Sequence, residues 1–161
     1  MSIPQRIREY LDSQKVPHDW VHHPQAFTSQ ELAHSLHVSG KHLAKTVVLD
    51  GDGRLLMAVL PASHRLNLQD LRESVEVKEL GMLPESELAK LFPDCELGAI
   101  PPLGTLYGMD VWVDRALTQS DEIIFCAGSH ADCVRMNYSD FVDLVKPQVG
   151  RFSEIWGAKA A

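Results

Sequence analysis

Three short stretches of this sequence hold residue types that could do chemistry. Lys45 stands inside the apolar run Leu43-Ala44-Lys45-Thr46-Val47-Val48-Leu49. An ammonium there must reach water, an anion or a carboxylate, and the commoner outcome for a strand lysine is to snorkel from a wet face. The second stretch is Gly98-Ala99-Ile100-Pro101-Pro102-Leu103-Gly104. Its prolines fix φ and remove two backbone donors, while its glycines permit positive φ and close approach. Such a loop can turn its remaining N–H groups toward a carbonyl or phosphate oxygen, or can simply be a stiff connection. The third is Cys126-Ala127-Gly128-Ser129-His130, after the apolar run Glu122 to Phe125. It would put polar groups and free amides at a sheet rim, or serve as an ordinary hairpin turn.

Other combinations are less apt. Cys126 with His130 suggests a thiol and a base, but Cys126 closes an apolar strand, where cysteines are usually structural. Neither Ser63-His64 nor Ser129-His130 lies in a Gly-x-Ser-x-Gly elbow. The eight histidines include no His-Glu-x-x-His set, so no metal is expected. Asp50-Gly51-Asp52-Gly53 lacks the downstream ligands of a calcium loop and is a turn. Three cysteines without Cys-x-x-Cys spacing argue against a disulfide framework or a structural zinc.

The elements that must position these groups follow from pattern. At 161 residues, 45% hydrophobic and 23% charged, the chain is expected to form one globular domain, 1–161, with 148–161 as a C-terminal tail. Helices are expected over 2–14 with Ser2 as cap, from Thr28 to about His37, over 68–74 capped by Asn67, after Pro84, and after Ser139. Strands are expected at His18 to His22, 44–49 and 54–60 around the Asp50–Gly53 turn, Val75 to Leu80, 110–114, 122–126 and 132–136. This order points to α+β with a mixed, largely antiparallel sheet. No apolar run reaches the ~18 residues of a membrane span, and the amphipathic start is unlike a signal peptide, so a cytoplasmic address is expected. The net charge of −7 argues against bulk coating of nucleic acid. Lys41, Lys45, Arg54 and Arg65 could still form a local basic rim.

The three stretches, in this order, resemble the YbaK/prolyl-tRNA-synthetase-associated editing domain family, together with His23-Pro24 and the segment Leu80 to Phe92. The resemblance spans roughly residues 5 to 147. It implies a sheet partly closed into a barrel and flanked by helices, and hydrolysis of wrongly charged aminoacyl-tRNA, often on proline tRNA. By the same resemblance Lys45, Gly98 and His130 would be catalytic. Thr46, His23, Ala99, Ile100, Pro101, Pro102, Gly104, Gly128 and Ser129 would line the substrate. No cofactor is implied, and the partners would be the aminoacyl-tRNA 3′ end and prolyl-tRNA synthetase or an elongation factor, with neither DNA nor a membrane. The branch that removes cysteine carries Gly-Gly-Lys-Arg where this chain has Gly128-Ser129-His130, so the ester removed is left open among small amino acids. The alternatives are a non-catalytic regulator binding tRNA or a small ligand, and a thiol hydrolase using Cys126.

Overall fold

A computed structural model of the chain describes residues 4–22 and 42–155. His23, Lys41, Trp156 and the helix expected after Thr28 lie outside the described residues. The clearest local signal is realised as a hairpin of β2 (Leu43–Gly51) and β3 (Arg54–Pro61). Its ladder runs from Ala44↔Pro61 to Gly51↔Arg54, so the turn is only Asp52-Gly53. Both turn residues have positive φ, 50° and 90°, as a tight two-residue hairpin requires. The Asp52 carboxylate accepts the N–H groups of Lys78 and Glu79 at 3.0 and 2.9 Å, which ties the hairpin tip to the next segment.

The main sheet adds β1 (Asp19–His22), β5 (Leu80–Met82), β6 (Asp110–Asp114), β7 (Glu122–Ser129), β8 (Asp132–Asn137) and β9 (Gln148–Gly150). Its order is β1-β8-β7-β2-β3-β6-β9, with β5 beside β2. The β1–β8, β7–β8, β2–β3 and β2–β5 pairs are antiparallel, while β2–β7, β3–β6 and β6–β9 are parallel. The expected α+β class with a mixed, largely antiparallel sheet is therefore present. β1 and β9 end the ladder and do not pair with each other among the described residues.

Helices cover both faces. On one, α1 (Gln5–Ser13) buries Ile7 and Leu11, and the last helix, residues 138–145, buries Phe141 and Leu144, against Met57, Val59, Val111, Val113 and Phe125. On the other, α2 (Leu68–Val75) seats Leu71 against Leu49, Leu56, Ala58, Leu60 and Phe152. Between them in sequence lie α3 (Glu85–Leu91) and the one-turn α4 (Gly104–Tyr107), which makes the last helix α5 (Tyr138–Val145). Fully buried leucine and phenylalanine side chains such as Leu11, Leu71, Phe141 and Phe152 are each worth about 1.5–3 kcal/mol of burial, far more than any propensity term.

Several boundaries differ from expectation for physical reasons. Pro4, whose missing N–H costs nothing at a helix start, occupies the cap position of α1, and Ser2 lies outside the described residues. Asn67 does cap α2, its side chain accepting the Asp70 N–H at 3.0 Å. The strand expected over Val75 to Leu80 is replaced by the end of α2, a left-handed Glu76 (φ 63°) and the short β5. Asn137, not Ser139, precedes α5. Residues 148–155, expected as part of a tail, are built into the domain. There β9 joins β6, and β10 (Ser153–Ile155) pairs with β4 (His64–Leu66). Between them Phe152 is fully buried, and its N–H donates to the buried Asp114 carboxylate at 2.8 Å. No described helix is long and apolar enough to cross a membrane.

Candidate active site

The third sequence stretch is the end of β7. Gly128 and Ser129 belong to the strand, and His130-Ala131 form the turn into β8, since Ser129 pairs with Asp132. A register irregularity between Cys126 and Ser129 bends the strand there. Gly128 has φ +92°, and a Cβ on it would meet the Pro4 ring at 2.5 Å. Glycine is thus required by both conformation and space. Ser129 is buried, and its hydroxyl accepts the Ala131 N–H at 3.1 Å, which shapes the turn.

This bent end is cross-linked to the glycine-proline loop. The Glu96 N–H donates to the Gly128 carbonyl at 2.8 Å, and the Gly128 N–H donates to the Ala99 carbonyl at 2.7 Å. The two stretches therefore form one unit. Gly98, exposed and with φ +85°, lies beside the Nε2–Cε1 edge of the His130 ring: a Cβ there would sit 3.1 Å from His130 Nε2. His130 Nδ1 is 2.6 Å from Glu96 Oε2, and the same oxygen accepts the His130 backbone N–H at 3.2 Å. Burial raises the Glu96 carboxyl, but these bonds from His130 outweigh it and leave the group below the usual carboxylate range. Sequence reasoning missed Glu96. Its partner is 34 residues away, and no local pattern marks it.

The loop divides into two parts. Pro101, Pro102, Leu103 and Gly104 are buried, and a Cβ on Gly104 would run into the Met109 carbonyl and Val111. That half has a packing reason for its residues. In the other half the Ala99 N–H is committed to the Glu96 carbonyl at 3.0 Å. The Gly98 and Ile100 amides have no acceptor among the described residues. Uncommitted backbone donors are uncommon inside proteins, and two beside a histidine suit an oxygen ligand.

Lys45 and Thr46 lie on β2, next to β7. The parallel ladder of these strands is short, Leu43↔Ile124 and Ala44↔Phe125. Beyond it the strands part: Gly128 bonds the Glu96–Ala99 segment, while Val48 accepts the Leu83 N–H and leads into the β5 pairing. Lys45 to Val47 thus occupy β2 at a fork, the kind of strand divergence where sheets form crevices. By strand alternation Thr46 shares the face of Ala44 and Val48, and Lys45 the face of Leu43 and Val47. Burial lowers the affinity of the Lys45 amine for its proton. The Thr46 hydroxyl is buried with no hydrogen-bond partner among the described residues, a condition that costs about 1–3 kcal/mol until filled. The fork brings Lys45 and Thr46 to the strand beside the Gly98–His130 unit.

The remaining candidates separate. Arg54 pairs with Asp110 at 3.3 Å and is opposite Gly51, six residues along β2 from Lys45 or roughly 20 Å at ~3.3 Å per residue. Arg65 is held by Glu154 at 2.9 Å. Arg54 therefore joins no rim around Lys45, and Arg65 is engaged by an acidic partner. A concavity of about 520 Å³ at the hairpin turn is lined by Asp50, Asp52 and Glu79, which would repel phosphate. Cys126 faces Cys133 across β7–β8, and the hydrogen bond between them, with burial, raises the Cys133 thiol. His130 engages Glu96, and His64 Nδ1 engages Ser153 at 2.8 Å. Among the described residues no three His, Cys, Asp or Glu side chains come together as a metal site would need.

Comparison with known proteins gives this arrangement a context. The chain is 27% identical over 94 residues to a proline–tRNA ligase of Lysinibacillus sphaericus (strain C3-41). That match takes in 58% of this chain and spans only 16% of the ligase. The crystal structure of a proposed trans-editing enzyme for prolyl tRNA synthetase superposes with a TM-score of 0.83 at 20% identity, covering 95% of this chain and 99% of that one. The hypothetical protein APE2540 superposes with a TM-score of 0.84 at 20% identity, over 93% and 100%. At such identity these two structures establish the fold alone. The family model of the aminoacyl-tRNA editing domain matches residues 23–144, which include Lys45, the Gly98 loop, Glu96 and His130, and the chain belongs to that family.

Proposed function

We propose that this chain hydrolyses the ester of mischarged aminoacyl-tRNA in trans, with water as nucleophile and a small non-cognate amino acid on proline tRNA as substrate. The observation that carries the reading is the single unit formed by the Gly98 loop and His130, in which the exposed Gly98 and the buried Ile100 have amides with no acceptor among the described residues. As water adds to the ester carbonyl, the oxygen gains negative charge. The Gly98 and Ile100 amides are the donors for it, and one such preorganised donor is typically worth ~10²–10³ in rate. Lys45 pairs with a phosphate or ribose oxygen near the tRNA 3′ end and holds the ester at the fork. His130 forms the pocket wall and orients the water.

The energetic need for such an activity is general. Binding distinguishes one methylene by only about 1–3 kcal/mol, so a synthetase cannot reject every smaller amino acid in one step. The aminoacyl ester is reactive, and positioning with electrostatics suffices for its hydrolysis without a covalent intermediate. The similarities to a proline–tRNA ligase and to a proposed trans-editing enzyme support proline tRNA and its synthetase as partners. The test is a panel of proline tRNAs charged with proline, alanine, serine, threonine or cysteine. Ester loss is expected for at least one small non-cognate amino acid and not for proline. A chain that binds these tRNAs and cleaves none is the regulator instead.

A further inference from the structure

We propose that Glu96 is a positioning residue that fixes the tautomer of His130, so that the ring keeps its proton on Nδ1 and presents Nε2 as an acceptor beside the Gly98 loop. The function of that acceptor rests on the deacylase reading, whereas the tautomer stands on geometry alone. An ionised carboxylate can only accept, so the 2.6 Å contact between Glu96 Oε2 and His130 Nδ1 requires the proton to be on Nδ1. The neutral ring then has its lone pair on Nε2. Free imidazole side chains favour the opposite tautomer, with the proton on Nε2, so this arrangement is imposed by the protein.

Glu96 is well placed to impose it. Its Oε2 takes both the ring N–H and the backbone N–H of His130, which clamps side chain and main chain to one atom. Its own N–H is tied to Gly128 in the strand leading to His130, which holds the two backbones side by side. The side chains of His130 and Glu96 are only 15% and 17% exposed, so water competes weakly for the contact. The far side of the ring, Nε2, is the atom nearest to where a Cβ on Gly98 would stand, 3.1 Å away. A lone pair there accepts a hydrogen bond from a water poised between the ring and the uncommitted loop amides. A ring with its proton on Nε2 would offer a donor to that water and orient it the wrong way. This is the histidine–carboxylate logic by which one ring nitrogen is set by the hydrogen bond of the other.

The experiment is a two-bond ¹H–¹⁵N correlation spectrum of the full chain labelled at histidine, recorded near pH ~8, above ordinary histidine titration. His130 is assigned by its loss in His130→Gln. The wild type is expected to show a protonated Nδ1 and an unprotonated Nε2. Glu96→Ala is expected to move His130 toward the Nε2-protonated form. Glu96→Gln, whose carbonyl oxygen still accepts from Nδ1, is expected to retain the wild-type pattern. In deacylation, Glu96→Ala should lower kcat tenfold or more with KM changed less than threefold, and Glu96→Gln should restore most of it. An Nε2-protonated His130 in the wild type, or a pattern unmoved in Glu96→Ala, overturns the proposal. If the expected spectra come from a chain that cleaves no ester, the positioning holds and the deacylase reading fails.

Discussion

Replacing Gly98 by alanine adds one methyl group at the contact that joins the loop to His130. The new Cβ would sit 3.1 Å from His130 Nε2 and 3.8 Å from Cε1. Comfortable contact lies near ~3.5–4.0 Å, so the ring must retreat by roughly half an ångström. Glu96 holds Nδ1 at 2.6 Å and resists that movement. Separately, alanine at φ +85° incurs about 1–2 kcal/mol of left-handed backbone strain. Gly53→Ala isolates this second effect, because Gly53 has φ +90° and nothing within 4 Å of its would-be Cβ. Both variants should therefore melt about 2–8 °C lower than wild type by calorimetry, at ~2–4 °C per kcal/mol. Gly98→Ala alone should lose deacylation, by about 10- to 100-fold, since displacements of this order cost up to ~10² in rate. Single-turnover assays on the two folded variants decide the matter. Equal deacylation by Gly98→Ala and Gly53→Ala would refute the idea that the His130–loop contact belongs to the reaction.

Other outcomes follow from the same structure. Burial disfavours the proton on the Lys45 amine in the folded chain, a cost that Lys45→Met removes. The unfolded chain holds that proton more tightly, so the destabilising contribution is complete below the depressed folded value. It fades as pH rises from there toward the ordinary lysine value of 10.5, and thermal melts across alkaline pH should show any gap closing. Phe152→Ala should cost about 3–5 kcal/mol in urea unfolding, because its ring is fully buried beside Leu71. A surface-like loss below about 0.5 kcal/mol would mean that residues 148–155 are not part of the core. Cys126→Ser should keep deacylation within a few-fold in steady-state assays, and a loss above 100-fold would restore the thiol reading.

What could be read from residues alone was what local chemistry determines. The β2–β3 hairpin was legible because Asp52-Gly53 sits between two apolar runs, and α2 because Asn67 can cap it. The three-residue strands β4, β9 and β10 were not, since their pairing partners lie far along the chain and short strands carry little period. Val75 and Val77 looked like strand residues, but burying Leu71 keeps Val75 helical and Glu76 then ends the helix. In the site, Gly98 and His130 were legible as types apt for close approach and acid–base chemistry. Their contact through Glu96 was not, because it depends on a tertiary cross-link. Gly104 was expected to line the substrate, and the space for any side chain there is filled by Met109 and Val111.

The most direct measurement compares single-turnover ester loss from mischarged proline tRNAs by wild type and by Lys45→Met, both verified as folded. The wild type should release at least one small non-cognate amino acid and spare the prolyl ester, while Lys45→Met should not exceed the buffer rate. Wild-type turnover by folded Lys45→Met, or no release from any tRNA by the wild type, would contradict the assignment.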